Sequence, residues 1–214
     1  MQYLLEHFGV GVAAITGVLA ARGKRMDLFG VLVLAVVTAF GGGTVRDLCL
    51  GSTPVFWIED PNYLLNATAV GVVTFFVARV RDLPETVLLV ADAFALALFT
   101  LVGVQKSLLL GTAPTIAVAM GVITGVAGGM LRDVLSGEIP LVFRQKIYLY
   151  ATAALAGAVV FVLLLRWFPQ HERAGTIIAA VMTLGLRLAA IRWKVTLPEF
   201  EAPTPGANTA GPKS

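Results

Sequence analysis

Apolar windows of about 16 to 22 residues, nearly free of charge, recur along almost the whole chain. Seven stand out, at about 4–21, 28–49, 63–78, 86–105, 114–135, 147–165 and 174–191, each close to the roughly 20 residues a helix needs to cross about 30 Å of hydrocarbon. Composition excludes a soluble alternative. Of 214 residues, 57% are hydrophobic and 14% charged, and the mean hydropathy is +0.85, more apolar surface than a soluble domain of this size hides. The expected class is all-α, a polytopic membrane protein of seven transmembrane helices. The first window stays as a span and is not a cleaved leader, because Glu6 and His7 stand where a basic segment belongs.

Alternating spans gather Arg22, Lys24, Arg25, Arg79, Arg81, Arg144, Lys146, Arg192 and Lys194 on one face and leave Lys106, Arg166 and Arg173 on the other. Basic residues near span ends collect on the cytoplasmic side, so a multi-pass protein of the cell (inner) membrane is expected, N-terminus outside and C-terminus cytoplasmic. Basic loops beside anionic lipid account for the pI of about 9.2, and no nucleic-acid partner is called for. Trp57, Trp167, Phe168 and Trp193 fall at span ends, where amphipathic rings anchor. Cys49 lies in an apolar segment and reads as packing. Residues 198–214, rich in Pro, Gly, Thr and Ala, read as a disordered tail.

The chain also repeats itself. A shift of 86 positions lays Thr38 on Thr124, Gly42-Gly43 on Gly128-Gly129, Arg46-Asp47 on Arg132-Asp133, Gly51 on Gly137 and Pro54 on Pro140. The same shift lays Glu6 on Asp92 and Gly17 on Gly103, with no slip of register over some 70 residues. Each copy holds three spans, so the second starts from the opposite side of the membrane and the repeats are inverted. The expected units are a first repeat over 1–80, an inverted second over 84–166, a seventh helix over 174–194 and the tail over 198–214. Inverted repeats with interrupted helices at their axis are the architecture of proteins that pass something across a bilayer.

Gly41-Gly42-Gly43 and Gly128-Gly129 fall inside the second and fifth spans. Consecutive glycines weaken a helix by about 1 kcal/mol each against alanine, which predicts a kink or an unwound turn facing protein or water. Close helix contact is the competing reading, preferred for Gly17, Gly71, Gly103 and Gly157. Arg46 and Arg132 each cost at least about 2.5 kcal/mol at a bilayer centre, so they call for acidic partners and a functional cavity, or for snorkelling from a span end. Asp47 and Asp133 point about 100° away from their neighbouring arginines, which leaves Glu6 or Asp92 as candidate partners. Lys106 either caps its helix or stands at a pathway mouth, and Arg187 is expected to snorkel toward the cytoplasmic face. Enzyme readings fail: His7 and His171 have no cluster at metal-ligand spacing, and "GGGTVRD" lacks the ending of a phosphate loop.

"GGGTVRDLCLGSTP", "GGMLRDVLSGEIP", the acid eleven residues before a glycine at Glu6/Gly17 and Asp92/Gly103, and "VGVQKS" together resemble the prokaryotic homologues of the trimeric intracellular cation (TRIC) channels, a domain also catalogued as a glycine transporter. The resemblance spans about residues 3 to 193. It implies a homotrimer in membrane lipid, a pore in each protomer, helices kinked at Gly41, Gly42, Gly43, Gly128 and Gly129, and conduction of potassium or sodium ions. It also implies pore-region charges at Arg46, Arg132 and Lys106. Ala127 stands where the first copy has Gly41, so the second break should be milder. Cation passage needs Arg46 and Arg132 neutralised by Asp47, Asp133, Glu6 or Asp92, whereas a zwitterion such as glycine would use Arg and acid together. No cofactor is expected beyond bound lipid or a monovalent cation.

Overall fold

The protein, seen in a computed structural model, is described over residues 2–144 and 149–195. Its helices are α1 (Gln2–Ala20), α2 (Leu28–Cys49), the single turn α3 (Phe56–Glu59), α4 (Asn62–Val80), α5 (Glu85–Leu109), α6 (Pro114–Leu135), α7 (Ala151–Trp167) and α8 (Glu172–Trp193), and no strand occurs among the described residues. Six are long and apolar enough to cross a bilayer, and α7 is an apolar helix of 17 residues, about 25 Å at 1.5 Å per residue. These are the seven expected spans, and the protein is an all-α polytopic membrane protein. The helix of the sixth span is described from Ala151; residues 147 and 148 of the expected span, and the expected tail over 198–214, lie outside the described residues.

Local chemistry sets the helix ends. Asp27 caps α2 by accepting from the Gly30 N–H at 2.7 Å, and Pro114 opens α6 with a preset φ. Gly51 and Gly137, equivalent in the two repeats, close α2 and α6 with φ of 65° and 75°. That left-handed turn returns the Ser52 and Glu138 N–H groups to the Asp47 and Asp133 carbonyls at 2.9 and 2.8 Å.

At the centre α2 crosses α6 while α1 lies against α5; α4 covers α1 and α2, α7 covers α5 and α6, and α8 packs on α7 and α5. The central crossing is reciprocal. A methyl group on Gly42 would overlap the Thr124 carbonyl oxygen, and one on Gly128 would overlap the Thr38 carbonyl oxygen. Thr38 and Thr124 are equivalents, as are Gly42 and Gly128, so the same contact is made twice about a pseudo-two-fold axis. Advancing from Thr38 to Gly42 on α2 means retreating from Gly128 to Thr124 on α6, so the helices are antiparallel and the repeats inverted.

The unwound turn expected at the glycines does not form. Neither α2 nor α6 is interrupted: each is α-helix throughout, across Gly41, Gly42 and Gly43 and across Gly128 and Gly129. A continuous helix keeps its N–H and C=O groups satisfied within hydrocarbon. The missing side chains are used for close backbone approach, which offsets glycine's lower helix propensity. Gly17 and Gly103 do the same, the first against the Ala35 backbone and the second against Gly121 and Thr124. Trp57, in the α3 turn, is half-buried. It stacks on Phe40 with centroids 5.4 Å apart, and its indole N–H donates to Thr44 Oγ1. Cys49 is exposed on the surface of the single chain rather than in its core.

Loop contacts fix which ends lie together. Arg22 pairs with Asp82 and Lys24 with Glu138, so the connections after α1, α4 and α6 share one face. Tyr3 Oη donates to Asp60 Oδ2 at 3.0 Å, placing the chain start on the opposite face with the α3–α4 connection.

Candidate functional site: two buried arginine–aspartate clusters

Each Arg-Asp pair occupies the last turn of its helix, and each is built alike. Arg46 Nε donates to Asp47 Oδ1 at 2.7 Å; Arg132 Nε donates to Asp133 Oδ1 at 2.8 Å. The second oxygen of each aspartate accepts a backbone N–H from the following connection, Phe56 for Asp47 at 2.9 Å and Leu141 for Asp133 at 2.7 Å. A carboxylate at a helix C-terminus meets the unfavourable end of the dipole, so it persists here because these donors compensate it. The arginine is long enough to curl back on its neighbour, which the 100° separation of their Cα–Cβ bonds had argued against. Snorkelling does not occur: Arg46 is 3% exposed and Arg132 fully buried.

α5 joins the two clusters. Near its start Asp92 Oδ1 accepts from Arg132 Nη1 at 2.8 Å. Near its end the Lys106 ammonium lies 2.8 Å from Asp47 Oδ1. The two residues are fourteen positions apart, about 21 Å along the helix and within about 40° of one face. In the second cluster Arg132 therefore faces two carboxylates; in the first, one carboxylate faces two cations.

Glu6, the equivalent of Asp92, accepts from Tyr63 Oη at 2.5 Å. Tyr150 Oη approaches Asp92 Oδ1 at 3.4 Å, the matching contact. Around Gly43 the space is filled by the Phe56 ring, which also lies under the Arg46 guanidinium at 5.7 Å. Gly129 faces the second cluster, its absent side chain leaving room for Tyr150 Oη, Asp92 and Arg132. Gly41 meets the end of Leu131. Sequence reasoning missed Tyr63, Tyr150 and Arg187. Arg187 does not snorkel: it is fully buried, its guanidinium 4.8 Å from the Tyr150 ring centre. The signal available was a charge within an apolar span, which by default marks a functional interior.

A cavity of about 820 Å³ opens on the face of the basic loops and reaches Asp133 and Arg187. Lys24 and Glu138 stand at its rim, and the Lys24 ammonium holds the Glu138 carboxyl below the usual carboxylate range.

Two stretches of the chain, residues 3–79 and 89–166, match a family model described as glycine transporter. The inner membrane protein YadS of Escherichia coli K12 is 48% identical over 201 residues, 94% of this chain and 96% of YadS. A membrane protein of Vibrio cholerae is 46% identical over 94% of this chain and 83% of its own length. The solved structure of the TRIC trimeric intracellular cation channel orthologue from Rhodobacter sphaeroides is 42% identical, with a TM-score of 0.85 over 91% of this chain and 98% of that one. The chain belongs to the TRIC family. A second TRIC cation channel structure, concerned with conductance, is 33% identical with a TM-score of 0.83 over 94% of this chain. Within this TRIC chain the two matched stretches end at α4 and α7, one helix triplet each, and α8 with Arg187 lies outside both.

Proposed function

We propose that the protein is a channel for monovalent cations, chiefly potassium, with one pore inside each protomer of a homotrimer in the inner membrane. The observation that supports this best is the environment of Arg132, whose guanidinium is held by both Asp92 and Asp133. A lone arginine in a narrow path repels cations; one bound by two carboxylates does not. In this reading Gly41, Gly42, Gly43, Gly128 and Gly129 form the waist where α2 and α6 cross. Arg46, Asp47 and Lys106 on one side, and Arg132, Asp133 and Asp92 on the other, set the charge along the path, with Glu6 supporting it through Tyr63. The family relatives described as cation channels and as an inner membrane protein support the substrate and location, and the distribution of basic residues supports an outside N-terminus. Purified protein in liposomes should carry potassium down its gradient and dissipate an imposed potential. Well-folded protein that leaves potassium trapped would overturn the reading.

A second reading, a carrier for glycine or another small zwitterion, is favoured by one observation besides the family description. Arg132 Nη2 and Asp92 Oδ2 have no hydrogen-bond partner among the described residues although both are buried. A carboxylate and an ammonium group would satisfy that donor and that acceptor together. Saturable glycine uptake without potassium current, abolished by Arg132→Ala, would select it.

A further inference from the structure

The second cluster has a member that its repeat does not supply. Arg187 comes from α8, six residues before that helix ends on the basic-loop face. It is fully buried and stacked on Tyr150, whose hydroxyl reaches Asp92. Of the charged residues lining the cavity from that face, Arg187 and Asp133 are the two that are buried, 0% and 4% exposed. The cavity thus stops at a charged floor. Polar atoms without hydrogen-bond partners among the described residues include Arg132 Nη2, Asp92 Oδ2 and Thr100 Oγ1, all buried. Thr100 is eight residues along α5 from Asp92, about 12 Å further from the cavity face. Its hydroxyl lies against Gly125, between the two clusters. Buried polar groups left unpaired in an apolar surrounding are costly, and three of them on α5 and α6 are what a polar path between the two clusters would use.

We propose that Arg187 is the closing residue of this cavity: held on the Tyr150 ring, its guanidinium seals the floor, and its displacement joins the cavity to the polar groups behind. Arg132 is bound by two aspartates within its own repeat, whereas Arg187 is carried by a helix outside both repeats that packs on α7 and α5. A shift of α8 therefore moves Arg187 without dismantling the α2–α6 crossing. As a gating step this rests on the channel reading, but the seal itself can be measured without any flux.

The test places a single thiol behind the floor, Thr100→Cys with Cys49→Ser, and measures its modification by a membrane-impermeant methanethiosulfonate added at the basic-loop face. With Arg187 in place the reaction should be slow. Arg187→Gln should speed it roughly tenfold, the factor given by about 1.4 kcal/mol in a closing equilibrium. Arg187→Lys, which keeps the charge but not the planar stack, should fall between. Should Arg187→Gln not purify as the same oligomer as the parent, Tyr150→Leu removes the ring beneath the guanidinium and should give the same acceleration. Equal rates in all folded variants would overturn the seal. In planar bilayers Arg187→Gln should raise the open probability by a similar factor. A parent protein that is silent in bilayers would sink the channel reading, while the thiol rates would still decide whether Arg187 closes the cavity.

Discussion

Asp47 is the residue on which the first cluster turns. It accepts from Arg46 Nε, from the Phe56 N–H and from the Lys106 ammonium, and its own side chain is fully buried. Asp47→Ala leaves two cations facing each other in a low-dielectric site, and removing one partner of a buried pair costs about 3–5 kcal/mol. Lys106→Ala leaves Asp47 with Arg46 and Phe56, so its cost should be well below that. Unfolding midpoints of the two variants in detergent check the order; equal losses would mean that Asp47 is not the shared anchor. That these charges mark the repeat was legible, since rare charges matched at one offset in apolar spans are hard to explain otherwise. Their pairing was not, because residue spacing fixes where Cβ points and says nothing of how far arginine curls back. Tyr150 escaped for a related reason: the offset of 86 lays Tyr63 on Leu149, yet the hydroxyl contact to the acid is kept by Tyr150, one position on.

Among the elements, α2 packs on α6 backbone to backbone through glycine. Gly42→Ala and Gly128→Ala each force a methyl group onto a backbone carbonyl of the partner helix, which cannot swing aside as a side-chain tip can. Overpacking of this kind costs about 1–3 kcal/mol, and these two should lie at the upper end. Gly41→Ala overlaps only the Leu131 tip, at 2.6 Å, with the Gly128 Cα at an ordinary 3.4 Å, and should cost less. Gly185→Ala, on α8 with nothing near it, should be neutral or stabilise by up to about 1 kcal/mol through helix propensity. Thermal melts of the four variants give the ranking, and a harmless Gly42→Ala would contradict the crossing. Glycine identity alone could not separate a break from a contact: both use the absent side chain, and only the partner's position decides. The spans themselves were legible to within a few residues because hydrocarbon thickness dictates their length.

For the whole molecule, loop contacts tie the repeats together across the basic-loop face. Lys24 follows α1 in the first repeat and Glu138 follows α6 in the second. The Glu138 carboxyl is held low by Lys24 and then by Arg144, so its contribution is fully present above the ordinary carboxylate value near about 4.3 and disappears as pH falls through the lowered one. The difference in melting temperature between the parent and Glu138→Gln should accordingly be constant from neutral pH down to about 5 and shrink below about 4. A difference that instead grows on acidification would contradict the pairing. The architecture was readable from the repeat because two inverted triplets have few ways to bury matching faces; the burial of Arg187 on Tyr150 was not, because α8 lies outside the repeat and Tyr150 is one position off its register.

In the proposed channel, cations cross each protomer between two arginines paired with aspartate, Arg46 with Asp47 and Arg132 with Asp92 and Asp133. Reversal potential in planar bilayers under a potassium chloride gradient tests this most directly, comparing the parent with Asp133→Asn. The parent current should reverse near the potassium equilibrium potential, and Asp133→Asn, which leaves Arg132 with Asp92 alone, should move it toward zero. A parent current reversing at the chloride potential, or one indifferent to Asp133, would contradict the claim.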